Sequence, residues 1–448
     1  MDKGIKDQLQ ASPTFPPEKI PAQPAKGPRK WPRSAADWVA GKLSRVTTSG
    51  ELLHEVDGLR FVAITAVVFH HLVSIYLPAS GRVPRIETRN DWMAATDISP
   101  VVAAAYCGYF GVHLFFVISG FILALPFVRR ASQGAPPPSW KSYYQRRLIR
   151  IEPPYLICLL GYLIVKVARH ESFSELLPHF LASSTYLHGI LYQRESILNG
   201  VAWSLEVEVQ FYLLVPLLMK GLRIRDPRWR RGGLLIAIAC CALFSQLVVY
   251  PYTPRVVHLT LLNYGQYFLA GILLADLSLT KMAGRRGTLL VGDLLVPLSG
   301  AAIVAILLHP GEQVFLLPFL IMLLYAGFHL GRLANRIIRW RWLVIIGGMC
   351  YTIYLYHTMI ISQIFVRTIA KGNTSEAFFG LFAGIPTTGS FAWELACQSL
   401  IVIPILLLLS ALLYVTTEKP FMRWSGSRGK RDQGENGGQC LPPPIAQD

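Results

Sequence analysis

The sequence predicts an all-α, polytopic integral membrane protein with about ten transmembrane helices and both termini cytoplasmic. Three observations carry this expectation. The first is composition: of 448 residues, 52% are hydrophobic and only 15% charged, against about 25% charged in an ordinary globular chain, and mean hydropathy is +0.40. The second is segmentation. Ten apolar stretches run approximately over 59–78, 108–128, 153–169, 203–219, 234–250, 257–275, 288–308, 313–330, 342–366 and 395–416. Most have the length needed to cross a hydrocarbon core of about 30 Å at a 1.5 Å rise per residue. Each is expected to be helical, because lipid offers unpaired backbone groups no partner. The third is charge. The net charge is +17, and the basic residues concentrate after every second stretch.

Taken in order, the segment after the second stretch holds Arg129, Arg130, Lys141, Arg146, Arg147 and Arg150. After the fourth come Lys220, Arg223, Arg225, Arg228, Arg230 and Arg231; after the sixth, Lys281, Arg285 and Arg286; after the eighth, Arg332, Arg336, Arg339 and Arg341. On the alternate side, Arg82, Arg85 and Arg89 are offset by Glu87, Asp91 and Asp97. Cytoplasmic loops carry the Lys/Arg excess, so the pattern gives a multi-pass membrane protein with both termini inside. The basic excess is then topological. No basic patch is interleaved with stacking aromatics, and no nucleic-acid partner is expected. Residues 1–50 read as a disordered basic, Pro-rich extension, 55–421 as the membrane domain and 424–448 as a disordered tail. The segment 170–202 reads as a short interfacial helix or a re-entrant piece. The seven cysteines show neither a disulfide framework nor metal-ligand spacing, so no metal site is expected.

Ionisable residues inside spans are costly and mark function by default. The first span holds Arg60 near its cytoplasmic end and His70 and His71 farther in. Arg60 and His71 lie eleven residues apart, three turns plus about 20°, so both project from nearly one face, about 16 Å apart along the axis. Read alone, the helix is more simply explained by Arg60 as a positive-inside anchor and a packed, hydrogen-bonded histidine pair. The fourth span opens WSLEVEVQFY at 203–212, carrying Glu206 and Glu208 into the membrane. A carboxylate there needs a partner or a proton, and a histidine partner would satisfy both groups. Arg147 and Arg150 share one helical face, and guanidinium forks suit phosphate, although ordinary topogenic charge explains such a pair as well. Ser119 permits close helix approach. His357 sits among several hydroxyls in the ninth span, and His113 reads as a packed histidine.

Together these segments resemble the family-3 membrane acyltransferases, bacterial O-acyltransferases that modify surface polysaccharides and related hydroxylated molecules. The matching runs, in chain order, are GLR at 58–60 with FHH at 69–71, GYFGVHLFFVISGF at 108–121, RRLIRIEP at 146–153, WSLEVEVQFY at 203–212, GMCYTIYLYH at 348–357 and EKPF at 418–421. The resemblance implies that the Arg-x10-His element is Arg60 and His71, that Arg147 and Arg150 contact acyl-CoA, and that Glu208 rather than Glu206 is the family carboxylate. The chain departs from the family at His113, Cys350 and Val209.

On this resemblance an acyl group, acetyl on family grounds, passes from cytoplasmic acyl-CoA to a hydroxyl of a carbohydrate or lipid-linked acceptor. Arg147 and Arg150, with Arg60, would hold CoA phosphates. His71 would act as general base or transient acyl carrier, oriented by Glu208. Trp203, Ser204 and Tyr212 are candidate contributors to the oxyanion site. The competing reading is a multispanning transporter or flippase for a polysaccharide or lipid-linked intermediate. That reading predicts discontinuous helices and a repeat, and no internal repeat is visible in the sequence.

Overall fold

The computed structural model describes residues 34–46, 53–79, 99–134, 136–222, 226–249, 253–279, 282, 286–308, 312–369 and 391–425. The chain divides into two compact units, Met1–Gly41 and Lys42–Asp448. The first unit is described only from residue 34, where helix α1 (Ala35–Leu43) begins. This helix falls within the segment expected to be disordered; residues 1–33, and 426–448 of the expected tail, lie outside the described residues.

The described parts of the second unit's apolar stretches are mostly helical. Its elements are α2 (His54–Ala79), α3 (Pro100–Tyr106), α4 (Phe110–Ser132), α5 (Trp140–Val167), α6 (Phe173–Ser184), α7 (His188–Tyr192), α8 (Trp203–Gly221), α9 (Pro227–Phe244), α10 (Leu261–Ser278), α11 (Leu290–Leu308), α12 (Leu317–Leu330), α13 (Arg332–Ile338), α14 (Arg341–Gly348), α15 (Cys350–Ile369) and α16 (Phe391–Leu413). Local chemistry sets several starts. The Ser139 hydroxyl accepts from the Ser142 N–H at the head of α5. The Asp226 carboxylate caps α9 by accepting from the Arg228 N–H, with Pro227 in the first turn.

Among the described residues, eight helices are long and apolar enough to cross a membrane. The helices Arg341–Gly348 and Cys350–Ile364 pass the same test only as a pair, bent by 70° at the break between them, the geometry of a broken span or a re-entrant loop. The 313–330 stretch, expected as a full crossing, opens with a 3-10 turn at Glu312–Leu316 and leaves only 14 α-helical residues in α12, about 21 Å of helix. The 170–202 segment forms α6 and α7. In α6, Phe173, Leu177 and Leu181 are exposed at four-residue spacing while Leu176 is buried, an apolar face that suits a membrane interface.

The core lies where α4, α8 and α10 meet. The Phe268 ring stacks on Phe211 at 4.1 Å and on Phe116 at 4.7 Å between centroids. Helix α2, which carries Arg60 and His71, is gripped at backbone distance from two sides. A methyl on Gly347 of α14 would overlap the Asp57 carbonyl oxygen, and one on Gly111 of α4 would overlap that of Ala63. Only glycine permits such contact, and small residues are the usual means of bringing membrane helices together. Several arginines read from sequence as topogenic also pair with acids on helix ends. Arg230 and Arg231 hold Asp276 at 2.5 Å each, and Arg286 holds Glu55 at 2.9 Å.

Candidate active site

A cavity of about 110 Å³ opens where α2, α4, α5, α8 and α15 converge. Its charged lining is Arg60, Arg147, Arg150, Glu208 and Glu418, and its hydroxyl lining includes Ser119, Ser204, Tyr212 and Tyr354. Along α4 it runs from Leu123 to Val112, about 16 Å of helix. Arg147 and Arg150 enter from one turn of α5. Arg60 is fixed by Asp57 of the preceding turn at 2.5 Å, and Asp57 also takes Arg45 at 2.6 Å. Asp57 is 2% exposed, so both guanidiniums are held by a carboxylate that water barely reaches. The Glu418 carboxylate accepts from the Thr352 hydroxyl at 2.5 Å and the Thr352 N–H at 3.2 Å, clamping the start of α15. The Tyr351 hydroxyl donates to the Ile151 carbonyl at 2.8 Å, tying α15 to α5.

His71 stands outside this lining, in a histidine pair. His357 is fully buried, and its Nδ1 faces the carbonyl oxygens of Tyr354 at 2.7 Å and Ile353 at 3.2 Å. In the neutral ring that nitrogen must carry the proton, which leaves Nε2 as an acceptor. Nε2 lies 3.2 Å from His71 Nδ1, which also lies 2.9 Å from the Val67 carbonyl. His71 Nδ1–H is therefore the donor to both, and the lone pair of neutral His71 falls on Nε2. The rings meet edge to face at 4.7 Å. His70 faces away, its Nδ1 on the Tyr106 carbonyl at 2.6 Å.

The structure brings some expected residues together and separates others. Arg60, Arg147, Arg150, Ser119, Ser204, Tyr212 and Glu208 share the cavity. The expected Glu208–His71 pairing is not made. The Glu208 carboxylate accepts from the Ser119 and Tyr212 hydroxyls, and His357 occupies the place beside His71. The physical reason is packing: the backbone contacts at Gly111 and Gly347 set α2 against α4 and α14, and α15 follows directly from α14. The Ser204 hydroxyl pairs with that of Tyr354 at 2.6 Å. Trp203 packs on Tyr264 at 5.2 Å rather than lining the cavity. His113 packs on Tyr267 at 4.6 Å.

Sequence reasoning passed over Asp57, Arg45, Tyr354 and Glu418. Asp57 had a signal, its three-residue spacing before Arg60; Glu418 lay in a family-like run without a role. Among the described residues, no group of three His, Cys, Asp or Glu side chains is placed to hold a metal ion.

Glu206 has a separate task. It is 2% exposed and accepts from the Gly189 N–H at 2.8 Å, fastening α7 to the head of α8. In turn, His188 Nδ1–H donates to the Arg194 carbonyl at 3.2 Å, so His188 Nε2 accepts from His179 Nδ1–H at 2.8 Å, joining α6 to α7. Burial lowers the pKa of both imidazoles, and the nearby Arg194 charge adds to the effect.

Three relatives illustrate what the chain is similar to. The regulator of hypoxia-inducible factor 1 of Caenorhabditis elegans is 27% identical over 189 residues, 39% of this chain and 35% of that protein. Nodulation protein 10 of Rhizobium leguminosarum bv. viciae is 28% identical over 152 residues, 30% of this chain and 38% of that protein. The exopolysaccharide production protein ExoZ of Rhizobium meliloti (strain 1021) is 28% identical over 285 residues, 60% of this chain and 82% of that protein. The chain thus spans little more than a third of the length of the first two. No solved structure matches. A family model described as an acyltransferase domain matches residues 53–415, which takes in most of the membrane unit, the histidine pair and every lining residue of the cavity except Glu418, and the chain belongs to that acyltransferase family.

Proposed function

We propose that this protein is a membrane O-acyltransferase that moves an acetyl group from acetyl-CoA to a hydroxyl of a polysaccharide or its lipid-linked precursor. The observation that carries the reading is the sequence of surfaces along α2. Arg60, with Arg147 and Arg150, lines a cavity suited to phosphate and an extended chain, and His71 lies farther along the same helix with Nε2 available as a base. The polysaccharide acceptor follows the exopolysaccharide relative. Basic loops facing the cytoplasm of a bacterial inner membrane would open the arginine end to cytoplasmic acetyl-CoA.

In the reaction, His71 Nε2 takes the proton from the acceptor hydroxyl as its oxygen attacks the thioester carbonyl carbon. The carbon–sulfur bond breaks, the acetyl ester forms, and the proton passes from His71 to the departing CoA thiolate. His357 Nε2 and the Val67 carbonyl hold the Nδ1–H of the imidazolium while it exists. The Glu208 carboxylate, taken by Ser119 and Tyr212, shapes the donor cavity rather than the base. The test is acetyl content of surface polysaccharide, by mass spectrometry, in a deletion strain complemented with wild type, His71→Ala or His70→Ala. Loss only with His71→Ala, at equal membrane protein level, is expected. Acetylation retained by His71→Ala and lost by His70→Ala would overturn the assignment.

A further inference from the structure

A second cleft, of about 240 Å³, lies between α5 and α15 toward their C-terminal ends. Tyr162, Lys166 and Arg169 come from α5 or the turn that ends it, and Thr358, Ser362 and Gln363 from α15. Arg150, at the donor cavity, precedes Lys166 on α5 by sixteen residues, about 24 Å of helix. The histidine pair lies between the two openings in the order of α15: Tyr354 lines the donor cavity, His357 follows, and Thr358 lines the second cleft. The Tyr162 hydroxyl, within hydrogen-bonding distance of Thr358 Oγ1 at 2.9 Å and the Leu355 carbonyl at 3.5 Å, closes its inner wall.

The lining has a definite chemistry. It offers three hydroxyls, one amide and two cations, with no carboxylate among the described lining residues. Lys166 is partly neutralised by Glu171 at 2.9 Å. Arg169 is exposed, and its hydrogen bond among the described residues goes to the neutral Gln363 Oε1 at 2.7 Å. A guanidinium has five N–H donors in a planar fork, so most of this fork faces the cleft or solvent. Hydroxyls and an amide match sugar hydroxyls, and a guanidinium without an ion-pair partner among the described residues matches a planar or tetrahedral oxyanion.

We infer that this cleft is the acceptor subsite and that it selects an acidic saccharide, a sugar carrying a carboxylate or a phosphate whose anion lies on Arg169 and Lys166 while a neighbouring hydroxyl reaches toward the histidine pair. The inference rests on the acyltransfer reading for the identity of the acceptor, but not for the existence of the subsite. It is tested by equilibrium binding of labelled saccharides to the full-length protein in nanodiscs, with CoA release from acetyl-CoA measured separately. The probes are methyl α-glucuronoside, α-glucosyl phosphate and neutral methyl α-glucoside.

Wild type is expected to bind at least one charged sugar about ten-fold tighter than the neutral one, as a charge-assisted pair allows. Whichever charged probe carries the preference identifies the anion. With an unchanged thermal midpoint and unchanged CoA binding as measures of an intact fold, Arg169→Gln with Lys166→Gln is expected to remove the preference. Arg169→Lys should retain part of it. Equal binding of charged and neutral sugars by wild type, or a preference that survives the double variant, would overturn the inference. Absence of CoA release from wild type with the preference intact would instead count against acyl transfer.

Discussion

Replacing His357 with Phe separates the observed partner of His71 from the expected one. Phe keeps most of the ring volume in a fully buried site, and the Ile353 and Tyr354 carbonyls that lose the imidazole lie in the same helix, where backbone N–H groups accompany them. What is lost is the acceptor 3.2 Å from His71 Nδ1. In the resting state that contact joins two neutral rings and is worth about 1 kcal/mol; once His71 holds the acceptor's proton it becomes charge-assisted, about 1.5–3 kcal/mol. Only the difference, about 0.5–2 kcal/mol, lowers the barrier, so kcat should fall roughly two- to thirty-fold. The loss stops there because the Val67 carbonyl still accepts from Nδ1 at 2.9 Å and keeps the tautomer. KM for acetyl-CoA should not change. The assay is release of CoA thiol by proteoliposomes supplied with acetyl-CoA and acceptor. A kcat within two-fold of wild type, or a Glu208→Gln variant that loses kcat with its donor KM intact, would refute the reasoning.

Other outcomes follow from the same geometry. Glu208→Gln keeps one acceptor oxygen but gives up the carboxylate charge that Ser119 and Tyr212 donate to, and should raise the acetyl-CoA KM several-fold with little change in kcat. Arg147→Ala with Arg150→Ala should raise that KM by about ten-fold or more, while Arg228→Ala, on an exposed turn of α9, should not; isothermal titration with CoA reports the same contrast. Gly347→Val drives a side chain into the Asp57 carbonyl and should lower the thermal midpoint in detergent, by a destabilisation of about 1–3 kcal/mol or more, whereas Gly161→Ala, which meets nothing within 4 Å, should be tolerated. The His179–His188 contact has lowered pKa values in the fold, so its stabilisation is full above the ordinary imidazole pKa of about 6.5. It should be lost as pH falls through that value toward the lower folded values, seen as faster hydrogen exchange in 173–192.

The sequence alone determined most of the architecture. The apolar stretches became helices because lipid leaves the backbone no alternative, and their lengths foretold most crossings; the 313–330 stretch fell short because its first turn winds as 3-10. Periodicity also placed Arg60 and His71 on one helix and Arg147 and Arg150 on one turn, since those relations are properties of a single helix. The partner of His71 was another matter. Depth and charge made Glu208 a reasonable neighbour, but those quantities do not say which way α8 and α15 are turned or which of them lies against α2. That was decided by glycine contacts at Gly111 and Gly347, which set α2 against α4 and α14 and bring together His71 and His357, 286 residues apart. Helical geometry is written residue by residue along the chain, whereas the meeting of two helices depends on the shapes of both surfaces at once, and only the folded structure holds that information.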